Sequence, residues 1–138
     1  MPSPLIAAIA QALNQKGIRY EIPENENTYA LCVRFHTDNA GDLAIHFYAS
    51  GDQPDIAMCI LQLLTIPEHR RAYALDVINK LHLDFRHFRF ALDADNDVRV
   101  AYDLPPACAN SAEVACEMCL RMVKAANQAY LYFVTPCF

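Results

Sequence analysis

TIPEHRRAYALDVINKLHLDFRHFRFALDADNDVRVAYDLPP, residues 65–106, decides the fold. It opens on Thr65-Ile66-Pro67-Glu68, the spacing of a capping box, in which Thr65 and Glu68 each satisfy a free backbone N–H at a helix start. Pro67 falls in the first turn, where no N–H bond is lost. Ala74, Val77, Ile78 and Leu81 then recur at i, i+3, i+4 and i+7, which predicts one apolar stripe. The period next changes from 3.6 to 2. Phe88, Phe90 and Leu92 alternate with His87, Arg89 and Ala91. Beyond Asp93-Ala94-Asp95-Asn96-Asp97, the residues Val98, Val100, Tyr102 and Leu104 alternate with Arg99, Ala101 and Asp103. This is a hairpin with one face in the core and one face wet. A slip of one residue would send the apolar set to solvent. Leu92 should therefore oppose Val98, Phe90 oppose Val100 and Phe88 oppose Tyr102. The loop is Ala94-Asp95-Asn96, with Asn96 left-handed. The same register sets His87 against Asp103 on the wet face.

Outward from this stretch, Ser3-Pro4 reads as N-cap and N1 of a first helix. Ile6, Ile9, Ala10 and Leu13 form its stripe, and Gly17 is placed to end it. Ile18 to Ile22 reads as a short strand and 23–27 as a polar loop. Tyr29, Leu31, Val33 and Phe35 alternate with Ala30, Cys32, Arg34 and His36; Leu43, Ile45 and Phe47 alternate with Ala44, His46 and Tyr48. An odd loop, Asn39-Ala40-Gly41 with Gly41 at positive φ, sets Arg34 against His46 and Cys32 against Tyr48. Ile56 to Leu64 is apolar on both faces apart from Gln62, which predicts a central strand covered on both sides. After Pro105-Pro106, Asn110-Ser111-Ala112-Glu113 starts a last helix that runs to about Tyr132. Its stripe is Ala115, Met118, Cys119, Met122, Ala126, Ala129 and Phe133. The other side carries Val114, Leu120, Val123 and Leu131. A helix apolar on two sides is either deeply buried or shared with a second molecule, and in a small chain the shared arrangement is expected.

The predicted class is α+β, an antiparallel sheet of about five strands packed with helices in the order α-β-β-β(-β)-α-β-β-α. The chain has 138 residues, 54% hydrophobic and 20% charged, with a net charge of −5. These values predict one folded domain over 1–138 and disfavour attraction to nucleic acid or an anionic membrane. No apolar run reaches spanning length, and no signal peptide is evident, so the expected location is cytoplasmic.

Specific segments resemble the YbjN family, also called bacterial sensory transduction regulators. They are Ile56-Ala57-Met58-Cys59-Ile60 running into Thr65-Ile66-Pro67, then Val77-Ile78-Asn79-Lys80-Leu81-His82-Leu83. The hairpin follows, Phe88-Arg89-Phe90-Ala91-Leu92-Asp93 and Asp97-Val98-Arg99-Val100-Ala101-Tyr102-Asp103-Leu104-Pro105. The resemblance rests mainly on residues 56–105. It implies a fold similar to the type III secretion chaperones, which bind extended segments of partner proteins as homodimers, and it carries over no enzymatic residue. The cysteine-rich last helix and Pro136-Cys137-Phe138 depart from the family pattern.

The chemistry candidates are few. Cys116-Glu117-Met118-Cys119 has C-x-x-C spacing, but no second pair or histidine set follows it. It lies past the first turn, away from the dipole that activates redox pairs, so these cysteines read as small core residues. Asp93-Ala94-Asp95-Asn96-Asp97 begins like a calcium loop, yet the sixth position is Val98 and the twelfth Leu104; it is a turn. His69, His82 and His87 show no ligand spacing. No nucleophile motif or phosphate loop occurs. Neither catalytic residues, nor a metal, nor a cofactor is expected. Arg34, His36, His46 and Tyr48 share the second sheet face; they are satisfied polar residues if a helix covers that face, which is the expected arrangement, and candidate partner-binding residues if it does not, together with Leu120, Val123 and Leu131 on the spare side of the last helix. The expected function is a non-catalytic protein-binding or chaperone-like regulatory module that forms a homodimer. The alternatives are a self-assembling structural protein and a thiol redox sensor using Cys116 and Cys119.

Overall fold

Two periodicities build the molecule. Alternating apolar residues make five strands that need cover on one face, and three amphipathic helices supply that cover. The computed structural model describes residues 4–24, 29–50, 53–105 and 110–135. The elements are α1 (Pro4–Gln15), β1 (Leu31–Thr37), β2 (Gly41–Ser50), β3 (Gln53–Ile60), a 3-10 turn (Glu68–Arg70) leading into α2 (Arg71–Asp84), β4 (Arg89–Leu92), β5 (Val98–Leu104) and α3 (Ser111–Val134). The strands form one antiparallel sheet in the order β1-β2-β3-β5-β4. This is the α+β order expected.

The helix stripes read from sequence are buried: Ile6, Ile9 and Leu13 on α1, Ala74, Val77, Ile78 and Leu81 on α2, and Ala115 through Phe133 on α3. They join Val33, Ile45, Phe47, Met58, Phe90 and Val100 in one core cluster. Gly17, at φ 72°, ends α1.

The second hairpin has the expected register, with Leu92 opposite Val98 and Phe90 opposite Val100, and Asn96 is left-handed at φ 66°. Phe88 lies outside β4 but its ring meets Tyr102 at 6.0 Å. His87 precedes β4, and no described ladder pair joins it to Asp103. Its φ is 78°, where the chain is still turning, and Arg89 takes its place with an ion pair to Asp103 at 2.8 Å.

Four further expectations are corrected. The first hairpin pairs Arg34 with Ala44 and Cys32 with His46, two residues off the expected register. The loop is Asp38-Asn39-Ala40, and Gly41, at φ 72°, is the first residue of β2. Thr37 Oγ1 closes this loop by donating to Gly41 C=O at 2.7 Å and accepting Ala40 N–H at 3.1 Å. The capping box does not form. Thr65 pairs with Asp97 in a β-bridge and donates its hydroxyl to Asp97 Oδ1 at 2.5 Å, while Glu68 accepts from Asn96 Nδ2 at 2.6 Å. Tertiary partners thus claim both side chains, and α2 starts six residues after Thr65. Finally, β3 is covered on one face only: Ile56, Met58 and Ile60 are buried, whereas Ala57 and Cys59 are half-buried. The Ile18–Ile22 strand reduces to a single bridge, Glu21 to Cys32. Ser3 and residues 25–27 of the polar loop lie outside the described residues.

Candidate functional site

With its helices on one side, the sheet presents a second face built from the alternate residues. Cα partners run straight across it: Glu21, Cys32, His46, Cys59, Ala101 and Arg89. The middle of this face is small, with Ala44, Ala57 and Ala101, and the margin is charged. Arg34 pairs with Glu21 at 3.4 Å, Arg99 with Asp93 at 3.0 Å and Arg89 with Asp103 at 2.8 Å. Tyr29 packs edge-on against His46 with centroids 4.7 Å apart, and Tyr48 lies beyond it at 6.3 Å. Burial, and after it the nearby Arg34 charge, holds the His46 pKa below its ordinary value. Burial likewise pushes the Cys32 and Cys59 thiols up. The centre of the face is therefore uncharged at neutral pH.

Among the described residues, the β1 edge of the same sheet is open over part of its length. Cys32 N–H donates to Glu21 C=O at 2.9 Å and Glu21 N–H donates to Cys32 C=O at 2.8 Å. Even-numbered residues of β1 thus turn their backbone groups away from β2. Arg34 and His36 do the same, and no described backbone group meets them. Beside this open edge lies a groove lined by Phe35, His36, Thr37, Asp38, Leu120, Val123, Lys124 and Asn127. α3 is held there by Asn127, whose Oδ1 accepts the N–H groups of Asn39 at 2.8 Å and Ala40 at 3.1 Å.

The structure sorts the seven candidate residues into three places. His36, Leu120 and Val123 come together at the β1 groove. Arg34 is at the same edge, with its side chain on the second face; its charge acts on His46, and Tyr48 lies beyond His46 on that face. Leu131 is elsewhere, in a groove between α2 and α3 with Tyr73, Val77, Lys80 and Tyr132. Sequence reasoning missed Phe35, Lys124 and Asn127. Nothing local marks them, because they become neighbours only when α3 crosses the β1–β2 turn.

The other chemistry candidates sit in ordinary surroundings. Cys116 and Cys119 are buried, and burial pushes the Cys119 thiol up to about 12, far from a reactive thiolate. The Asp93, Asp95 and Asp97 carboxylates approach within 4.8 Å of one another. Protein donors already engage two of them: Asp93 accepts from Arg99 and from the N–H groups of Asp95 and Asp97, and Asp97 accepts from Thr65 and Gln62. No described helix is long and apolar enough to cross a membrane.

No protein-family model matches the chain, and no curated protein sequence matches it. Solved structures do. YbjN from E. coli, a candidate transcription regulator, superposes with a TM-score of 0.64 at 11% identity, covering 91% of this chain and 88% of that one. A chain of the ExsC–ExsE complex gives 0.57 at 10% identity over 99% and 97%. The type III secretion chaperone SycH from Yersinia pestis, in complex with a fragment of YscM2, gives 0.52 at 16% identity over 88% and 96%. The chain therefore has a YbjN-like, type III secretion chaperone-like fold.

Proposed function

We propose that this chain is a non-catalytic, cytoplasmic protein-binding module of chaperone-like regulatory type, and that it receives an extended segment of a partner along the β1 edge. One observation carries the reading: the outward backbone groups of Arg34 and His36 lie beside a groove in which Phe35, Leu120 and Val123 supply an apolar strip among the polar His36, Thr37, Asp38, Lys124 and Asn127. A strand edge offers directional hydrogen bonds to any extended backbone, and a groove on one side selects apolar residues at alternate positions. The ExsC–ExsE and SycH–YscM2 structures, both complexes between proteins, support a binding role. The groove predicts that Leu120→Asp and Val123→Asp abolish capture of a stoichiometric partner by tagged protein in native-host lysate, whereas Lys80→Ala, in the other groove, does not. Undiminished capture by both aspartate variants would count against this site.

A second reading, a homodimer, has its own observation. Leu75, Leu131 and Val134 are 49%, 44% and 42% exposed, and Leu131 lines the α2–α3 groove. A second copy seated there would cover surplus apolar surface. Sedimentation of wild type as a dimer and of Leu131→Glu as a monomer is the expected result; a monomeric wild type removes this reading.

A further inference from the structure

The two edges of the sheet are finished differently. β4 is four residues long and pairs only with β5 among the described strands. Asp93 N–H donates to Asp97 C=O at 3.0 Å. By alternation, Arg89 and Ala91 turn their backbone groups toward β5, and Phe90 and Leu92 turn theirs outward. The outward N–H of Phe90 does not face solvent. It donates to Nε2 of His82 at 2.9 Å. About three turns earlier on α2, Arg71 Nη1 donates to Asp93 C=O at 3.1 Å and to Asn96 Oδ1 at 2.5 Å. Both ends of α2 are thus tied along the β4–β5 hairpin. Arg34 and His36 on β1 have no such tie among the described residues.

We infer that His82 is a positioning residue that closes the β4 edge to an added strand, so that docking is confined to β1. The confinement rests on the docking proposed above; the closure does not. An outward N–H on an edge strand is a template for any extended chain. An imidazole nitrogen in that place satisfies the donor with a group that cannot propagate a ladder. The bond requires Nε2 to be the acceptor, which puts the hydrogen of the neutral ring on Nδ1. Phe90 keeps anchors besides the His82 ring, whose centroid is 6.0 Å from its own: its side chain is buried in the core and packs on Phe85. Loss of the imidazole therefore frees the N–H without releasing the strand.

The test is residue-resolved amide hydrogen exchange on the full chain, without any partner, in wild type, His82→Ala and His82→Gln. His82→Ala is expected to raise exchange at Phe90 by about tenfold or more and leave Val98 and Val100 unchanged. The glutamine carbonyl can take the place of Nε2 and is expected to restore protection. Wild-type protection of Phe90 in His82→Ala overturns the inference. So does a parallel rise at Phe90, Val98 and Val100, which would mean a general loss of hairpin stability, or protection that stays lost in His82→Gln. Because no partner is present, failure here is distinct from failure of docking at β1.

Discussion

His46 shows how much one side chain on the uncovered face responds to its neighbours. Its Nδ1 is buried and meets no hydrogen-bond partner among the described residues, and its pKa is lowered chiefly by that burial. The unfolded chain therefore takes up a proton at this residue before the folded chain does. Stability is complete above the ordinary histidine pKa and falls as pH drops below it toward the lowered folded value. The thermal midpoint is expected to decrease as pH falls below the ordinary histidine pKa, and His46→Asn to flatten part of that slope; identical slopes would show that His46 does not contribute. In the core, Phe90→Ala is expected to cost about 3–5 kcal/mol in denaturant unfolding, and Leu92→Ala less, since Leu92 is only half-buried. At this scale the sequence was legible wherever the backbone demanded a residue type. Gly41 and Asn96 at positive φ follow from turn chemistry alone. The hydrogen bond from Phe90 to His82 does not, because it needs the chain reversal between α2 and β4.

Elements were legible as far as periodicity constrains them. The stripes of Ala74–Leu81 and Ala115–Phe133 are buried, and both hairpins keep the parity that alternation requires. Parity leaves a slip of two residues open. In the second hairpin the five-residue Asp93–Asp97 turn admits one closure. In the first, Gly41 could close the turn in either of two ways, and the choice falls to Thr37 and to Asn127, 88 residues from Asn39. Asn127→Ala removes the acceptor for two backbone N–H groups. It is expected to destabilise the protein by about 1–2 kcal/mol and to raise amide exchange at Asn39 and Ala40. Unchanged exchange at both would mean that solvent replaces Asn127 at no cost. The lost capping box has a related cause: local helix chemistry at Thr65 competes with a β-bridge to Asp97, and the tertiary pairing wins.

At the scale of the whole molecule, the described helices lie on one face and leave the other face and the β1 edge without a described cover, while α2 ties down the β4 edge. The YbjN-like, secretion chaperone-like fold was legible in residues 56–105. The site was legible only in pieces, because His36, Leu120 and Val123 meet where α3 crosses the first hairpin. The cysteines of α3 belong to the core. Alkylation at neutral pH read by peptide mass spectrometry is expected to leave Cys119 unmodified in the folded chain, and rapid modification would reopen a thiol-based role. The central claim is that a partner's backbone pairs with β1, and one substitution separates backbone from side chain. Arg34→Ala keeps the outward N–H, whereas Arg34→Pro deletes it at an edge position that faces away from the β2 ladder. The measurement is the affinity of each folded variant for the captured partner. The prediction is that Arg34→Pro weakens binding by about tenfold or more beyond Arg34→Ala; equal affinities for the two variants would contradict docking at this edge.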